Sequence, residues 1–482
     1  MSEREARVVV ASNRGPVSFF FSGDGDLLMS RGGGGLVSGL SAVAMQTHVV
    51  WVCQALSEAD RAVVAAAPNG RLDQAGYDMG GSAVRMLDVP ADTFRGAYNG
   101  VANSTLWFLH HLMFDPPTKP RFDAQWRMQW QAYREYNWAF ADALAGEAAD
   151  GAKVMVQDYH LALVPRMLRE RRPDLRIAHF SHTPWAPPEY YRMLPDDVAV
   201  ALLEGILGAD YAGFLSRRWA ESFLQCCATF MDASVDWGSR TVTYGGRRTR
   251  AGVHGLGVDG DSLRERAGQS DVEEHVDRVR EVVGDRHILL RVDRTELSKN
   301  IIGGLMAYRE LLRTHPEWQG RVVHLAFAYP SRQDLPQYRD YTAAVQRIAS
   351  EINDEFATAR WKPLLLETDV PFPRSLAAYR LADALVVNPI RDGMNLVAKE
   401  VPVVSERDCV LVLSREAGAY DDLGAYALLV NPYDISQTSE AVHDALSMRA
   451  DERAERARCL ADAATALPPQ RWFTDQLTEL GP

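Results

Sequence analysis

A chain of 482 residues with 47% hydrophobic content has material for two cores, since ordinary domains run to about 100–200 residues. Its net charge of −12 argues against a duplex nucleic-acid partner, which calls for a basic face, and no apolar run reaches the ~20 residues of a membrane span. Five cysteines (Cys53, Cys226, Cys227, Cys409, Cys459) have neither zinc nor CxxC spacing, so reduced thiols in a cytoplasmic protein are expected.

The first element, "ARVVVASNR", is a strand reached directly from a charged tag, with no signal-peptide core. Arg14 would emerge at its carboxyl edge, where a guanidinium can grip a phosphate or join a surface ion pair. "RGGGGLVSGL" follows. Gly32 to Gly35 could bring backbone N–H groups to an anion at a helix start. With Val37 and Ser38 in place of required glycines it is neither a dinucleotide fingerprint nor a Walker loop, and a flexible surface loop is the alternative. Residues 124–144 are rich in Trp and Tyr. Trp126, Trp130 and Tyr133 fall on one helical stripe, which predicts a buried face rather than a sugar-stacking platform.

"VQDYHL" and "FSHTPWAP" each close a strand, at Asp158 and His182. A carboxylate and an imidazole at neighbouring strand ends can bond sugar hydroxyls or manage a proton. His160 and His179 lie nearby, but no HxxxH or HExxH pair exists, so no metal is expected. "AGVHGLGVDGDSLRERA", punctuated by four glycines, suggests a boundary near residue 257.

The second half repeats the style. "RVDRTELSKNI" sets Arg294 and Lys299 at a strand-to-helix turn, where two cations could hold a diphosphate or merely make a solvated basic turn. "AYPSRQD" puts Arg332 at another strand end. In "ADALVVNPIRDGMNLVAKE" an apolar strand runs into Asp392, Gly393, Met394 and Asn395, and a helix begins at "LVAKE". Asp392 and Asn395 offer partners for hydroxyls, the helix start suits phosphates, and Glu400 suits a ribose diol; a capped helix with a surface acid is the bland alternative. The last stretch, "PPQRWFTDQLTEL", carries Trp472, Phe473 and Leu477 at helical spacing and could pack on either half. Apolar strands alternating with helical stretches predict doubly wound α/β units with parallel sheets, and two such units would face a cleft at the carboxyl ends of their strands.

Taken in order, "SNR", "GGL", "YNG…NSTLW", "QDYHL", "SHTPW", R-x4-K, "SR", "RDGMNLVAKE" and "LVNPYD" resemble the trehalose-6-phosphate synthases from about residue 7 to residue 477. The resemblance implies a GT-B fold of two Rossmann-like domains: residues 1–257 for the acceptor, joined by a helix over 465–482, and 258–464 for the donor. It implies glucose transfer with retention from UDP-glucose or GDP-glucose to glucose 6-phosphate. Catalysis would fall to Arg294, Lys299, His182 and Asp158. Gly34, Gly35, Asp392, Gly393, Met394, Asn395, Leu396, Val397 and Glu400 would bind the donor. Arg14, Tyr98, Trp107, Asp158 and Arg332 would bind the acceptor. No cofactor or metal is expected, because Arg294 and Lys299 supply the cationic charge. Small molecules are the expected partners, with no nucleic acid and no membrane; a homo-oligomer is left open.

The chain departs from the family in "WVCQALS", where Gln54 replaces an expected tryptophan, in Gln157 before "DYHL", where a histidine is usual, and in the hinge "GLGVD". These changes bear on the acceptor more than on the donor. A coupling enzyme with another phosphorylated acceptor and a catalytically silent sugar-phosphate sensor are the alternatives, and the base of the donor stays open between uracil and guanine.

Overall fold

The computed structural model describes residues 6–31, 49–79, 81–115 and 118–481. They divide into two compact units, one running to Leu256 and taking up again at Pro469, the other spanning Gly257–Pro468.

The first unit holds β1 (Ala6–Ala11), β2 (Val17–Phe21), β3 (Leu27–Arg31), β4 (Val49–Gln54), β5 (Ala83–Leu87), β6 (Ala148–Gln157), β7 (Arg176–Ser181), β8 (Tyr211–Phe214), β9 (Ser234–Asp236), β10 (Thr241–Tyr244) and β11 (Arg247–Val253). One sheet has the order β5-β4-β1-β6-β7-β8-β11-β10-β9, parallel as far as β11, and β2 and β3 form a separate hairpin. In β1, every residue but Arg7 is buried. Valines cover both faces, as a sheet packed on both sides requires.

The second unit holds β12 (His287–Arg294), β13 (Val322–Tyr329), β14 (Leu364–Glu367), β15 (Ala384–Val387), β16 (Val410–Ser414) and β17 (Leu428–Val430). Their order is β14-β13-β12-β15-β16-β17, all parallel. Both sheets therefore reverse direction beside their first strand: β1 lies between β4 and β6, and β12 between β13 and β15. At such a switch point the connecting loops part, and ligands of doubly wound sheets bind outside the carboxyl ends of the strands.

The aromatic helix Ala124–Glu147 starts at Asp123, whose side chain accepts from the Trp126 N–H. Trp126, Trp130 and Tyr133 are buried in one stacked row. The stripe supports the strand-end loops: Tyr133 OH donates to the Tyr159 carbonyl at 2.6 Å, Asn137 Nδ2 donates to the His160 carbonyl at 3.1 Å, and Tyr136 OH donates to Asn13 Oδ1 at 2.7 Å.

The last helix, Pro469–Glu479, belongs to the first unit. Trp472 and Phe473 are buried, Trp472 meets Phe180 edge-on at 4.8 Å, and Lys153 Nζ donates to the Leu477 carbonyl at 3.1 Å. Truncating an indole so packed costs about 3–5 kcal/mol. No helix among the described residues is long and apolar enough to cross a membrane.

Candidate active site

In the first unit the polar groups collect after β1, β6 and β7. The turn after β1 is tied down by Trp51 Nε1, which donates to Ser12 Oγ at 2.7 Å, while Ser12 Oγ donates to the Arg14 carbonyl. The Arg14 side chain is left exposed. Asp158, directly after β6, sits at φ 72°. That left-handed conformation costs a non-glycine residue about 1–3 kcal/mol and persists only where the surroundings enforce it. Here the Asp158 N–H donates to the Phe180 carbonyl at 2.7 Å, and Asp158 Oδ1 accepts from the His182 N–H at 3.2 Å. His160 Nδ1 lies 3.7 Å from Asp158 Oδ2, and Tyr98 stacks on the His160 ring at 5.5 Å. Asp158, His160, Tyr98 and His182 are thus one contact group. Trp107 is buried and stacks on His111 at 4.3 Å, so it presents little surface to a ligand.

His182 Nε2 donates to Gln157 Oε1 at 2.9 Å. An amide oxygen can only accept, so the imidazole carries its proton on Nε2 and its Nδ1 keeps a lone pair. Burial, and then the neighbouring His179, lower the His182 pKa to about 4. The other departure, Gln54, is buried: its Nε2 donates to the Ala55 carbonyl, and its Oε1 has no partner among the described residues. Gln54 is turned into the core.

In the second unit the charges gather after β12 and β15. Lys299 Nζ donates to Asp392 Oδ2 at 2.5 Å, and Asn395 Nδ2 donates to the same oxygen at 3.2 Å. Burial alone would lower the Lys299 pKa, but Asp392, Asp293 and Glu296 outweigh it and hold the ammonium charged. The Ile390 N–H donates to the Ser298 carbonyl at 2.8 Å, which ties the cationic turn to the acidic loop. Beneath them Arg291 and Asp293 form a buried pair at 2.8 Å, and Arg291 also reaches the Lys299 carbonyl and Asn388 Oδ1. Burial pushes the Asp293 carboxyl up to about 6.

Asn395, at φ 94°, accepts the Ala398 N–H on its Oδ1 at 3.0 Å, so it also caps the helix Val397–Val404 that Leu396 opens. Gly393 and Met394, within this loop, are buried. A Cβ on Gly418 would stand 1.8 Å from the Gly393 carbonyl oxygen, so the loop's path depends on glycine at 418. Glu400 is half-buried on the helix. Tyr379 OH donates to its Oε2 at 3.3 Å, and burial raises its pKa.

Arg294 and Arg332 meet on a residue the sequence reading missed. Glu296 Oε1 lies 3.1 Å from Arg294 Nη1 and 3.7 Å from Arg332 Nη1. Arg332 also donates to Tyr338 OH at 2.5 Å. Gly34 and Gly35 lie outside the described residues. One available signal was the pair Arg291 and Asp293, two charges spaced by two within β12, which marks a buried ionic face under the site.

Among the described residues one group, His315, Glu317 and His443, brings possible metal donors within 4.8 Å. The two rings stack at 3.8 Å, and Trp318 Nε1 donates to His443 Nδ1.

Two Rossmann-like parallel sheets, with cations, a carboxylate–asparagine loop and a helix start at a strand-order switch, define a glycosyltransferase of the GT-B class. The family model for glycosyltransferase family 20 matches residues 6–481. The bifunctional trehalose-6-phosphate synthase/phosphatase of Thermoproteus tenax is 33% identical over 98% of the chain, which spans 63% of that relative's length. An α,α-trehalose-phosphate synthase [UDP-forming] of Aspergillus niger is 35% identical, with 94% of the chain and 92% of the relative covered. A solved structure from E. coli, described as trehalose-6-phosphate bound with UDP-2-fluoro glucose, matches with TM-score 0.86 and 26% identity over 98% of this chain and 99% of that one. The chain belongs to glycosyltransferase family 20, the family of the trehalose-6-phosphate synthases.

Proposed function

We infer that this chain is an α,α-trehalose-6-phosphate synthase, which transfers glucose with retention from a nucleoside diphosphate glucose to glucose 6-phosphate. The observation that carries the reading is the Lys299–Asp392–Asn395 cluster at the switch between β12 and β15, with Arg294 closing β12. A carboxylate pinned by a cation is set to bind sugar hydroxyls, and the two cations are set to neutralise a departing diphosphate.

In this reading Asp392, Gly393, Met394 and Asn395 hold the donor glucose. Leu396 and Val397 offer backbone N–H groups to its phosphates, and Glu400 binds the ribose. Gly34 and Gly35 are assigned to the donor phosphates on the resemblance alone. His182, held neutral, bonds the transferred glucose. Asp158, Tyr98 and Arg14 of the first unit, and Arg332 of the second, serve the acceptor. Trp107 is kept as an acceptor residue only through its support of the surrounding helix. The UDP-forming synthases among its relatives favour uracil as the donor base.

The test is release of nucleoside diphosphate from UDP-, GDP- and ADP-glucose, each with and without glucose 6-phosphate, with the product's anomeric configuration read by NMR. Release dependent on glucose 6-phosphate, with an α,α linkage, supports the reading. No acceptor-dependent release from any donor would sink it. The inward turn of Gln54 favours a second reading, a different phosphorylated acceptor, so other sugar phosphates belong in the same panel.

A further inference from the structure

Glu296 is a buried carboxylate among cations. Its side chain is 3% exposed. One oxygen, Oε1, faces Arg294 Nη1 at 3.1 Å and Arg332 Nη1 at 3.7 Å and accepts from Ser331 Oγ at 3.1 Å. Lys299 also feels its charge, as do the Asp293 carboxyl and the Tyr338 hydroxyl that bonds Arg332. All three cations are ones assigned above to the substrates. We propose that Glu296 is a positioning residue, an internal anion that holds Arg294 and Arg332 on one oxygen and aims the exposed guanidinium of Arg294 at a phosphate.

Three observations support this role. Two guanidiniums sharing one oxygen would repel each other without the carboxylate between them. Arg294 is 60% exposed and is anchored on Glu296 at 3.1 Å. A guanidinium has five N–H donors in a rigid fork, so anchoring one edge orients the other toward solvent. Arg332 has φ 43°, a conformation an arginine adopts only when its surroundings enforce it, and such positions concentrate where geometry matters for function.

The same carboxylate competes with any phosphate for the cations it holds. Removing its charge while keeping its shape should therefore separate two quantities that a purely structural residue would lose together. Affinity for a bare anion should hold or rise, and turnover should fall. The inference rests on the functional reading above.

The test compares Glu296→Gln and Glu296→Asp with the parent. Calorimetry measures inorganic phosphate and UDP binding, and steady-state assays measure turnover with the preferred donor and glucose 6-phosphate. For Glu296→Gln, phosphate and UDP should bind at least as tightly as in the parent, while kcat falls tenfold or more. Glu296→Asp keeps the charge but withdraws it by one methylene, so its kcat should lie between the two with phosphate affinity unchanged. An unchanged kcat in Glu296→Gln would overturn the proposal, as would parallel losses of kcat and UDP affinity. Should Glu296→Gln not fold, Glu296→Asp decides: lower kcat at unchanged phosphate affinity supports the role, and parent-like kcat overturns it. If the parent turns over no donor at all, the functional reading has failed. The phosphate measurement then judges Glu296 by itself, with tighter or equal binding in Glu296→Gln for the proposal and weaker binding against it.

Discussion

The imidazole of His182 donates from Nε2 to Gln157 Oε1 at 2.9 Å, at the ends of adjacent parallel strands. That bond selects one tautomer, and burial with His179 keeps the ring neutral, its pKa lowered to about 4. An amide cannot titrate, so the parent enzyme should show no His182 limb in kcat/KM above about pH 5. Gln157→Glu puts a carboxylate at the same distance and favours the imidazolium. Its activity should decline as pH falls below about 7, with the difference largest near pH 5. A pH–rate profile of both proteins checks this, and parallel profiles would show that Gln157 does not govern the ring.

Burial also lowers the pKa of His179 to about 4 and of His324 to about 3. An unfolded histidine titrates near 6.5, so between that value and about 4 the unfolded chain binds protons that the folded chain does not. Stability should therefore fall as pH drops from about 6.5 toward 4. His324 is fully buried in β13, and neither ring nitrogen has a partner among the described residues. His324→Leu should narrow the gap between Tm at pH 7.5 and at pH 5. Thermal unfolding across that range reads it, and an unchanged gap would remove His324 from the account.

Arg294 and Lys299 should separate by their effects on stability. Arg294 is mostly exposed, whereas Lys299 is nearly enclosed against Asp392. As stabilisers of a leaving diphosphate, each should lower turnover by roughly a hundredfold or more when changed to alanine. Lys299→Ala takes the cation from the nearly buried Asp392 carboxylate, at a cost of about 3–5 kcal/mol, whereas Arg294→Ala leaves Glu296 with Arg332. The Tm of Lys299→Ala should drop by several degrees, with that of Arg294→Ala close to the parent. Equal Tm values would mean that Asp392 finds another partner.

The α/β alternation was legible because buried parallel strands read as Val- and Leu-rich runs ending in polar residues, and the GT-B class through the resemblance carried by the ordered motifs. Asp158, His182 and Asp392 stand at the ends of such runs for that reason. What spacing could not carry is register. Gln157 and His182 are 25 residues apart and become partners only because β6 and β7 pair side by side. Glu296 looks like one more acid in "RVDRTELSK" until the turn folds it inward between two arginines. The Trp126 stripe announced a buried face, but not that Tyr133 and Asn137 would carry the turn after Asp158.

Glu400 lies one turn into its helix with Tyr379 OH 3.3 Å from its carboxylate, in surroundings that raise its pKa. A ribose diol would supply two further donors to it. Glu400→Gln should weaken UDP-glucose and GDP-glucose alike, by roughly ten- to a hundredfold, the range for a hydrogen bond to a charged group. Competition assays with UDP and GDP measure this. A changed ranking of the two nucleotides would place Glu400 at the base instead.

Retention requires the acceptor to finish on the face that the nucleotide left. A double displacement needs a carboxylate able to attack the donor's anomeric carbon. The carboxylates near the second unit's switch point are already engaged: Asp392 by Lys299 and Asn395, Asp293 by Arg291, and Glu296 by the two arginines. Asp158 is held in its strained turn by the His182 N–H, with His160 beside it. Front-face substitution through an oxocarbenium-like state asks for none of them as a nucleophile. On that route the leaving phosphate would take the acceptor's proton while Arg294 and Lys299 stabilised its growing charge. Asp158→Asn should then lower acceptor use without trapping an intermediate. Intact-protein mass spectrometry after incubation with donor alone should show only the parent mass, for the wild type and for Asp158→Asn. A glucosylated protein that goes on to react with glucose 6-phosphate would establish the covalent route and overturn the front-face one.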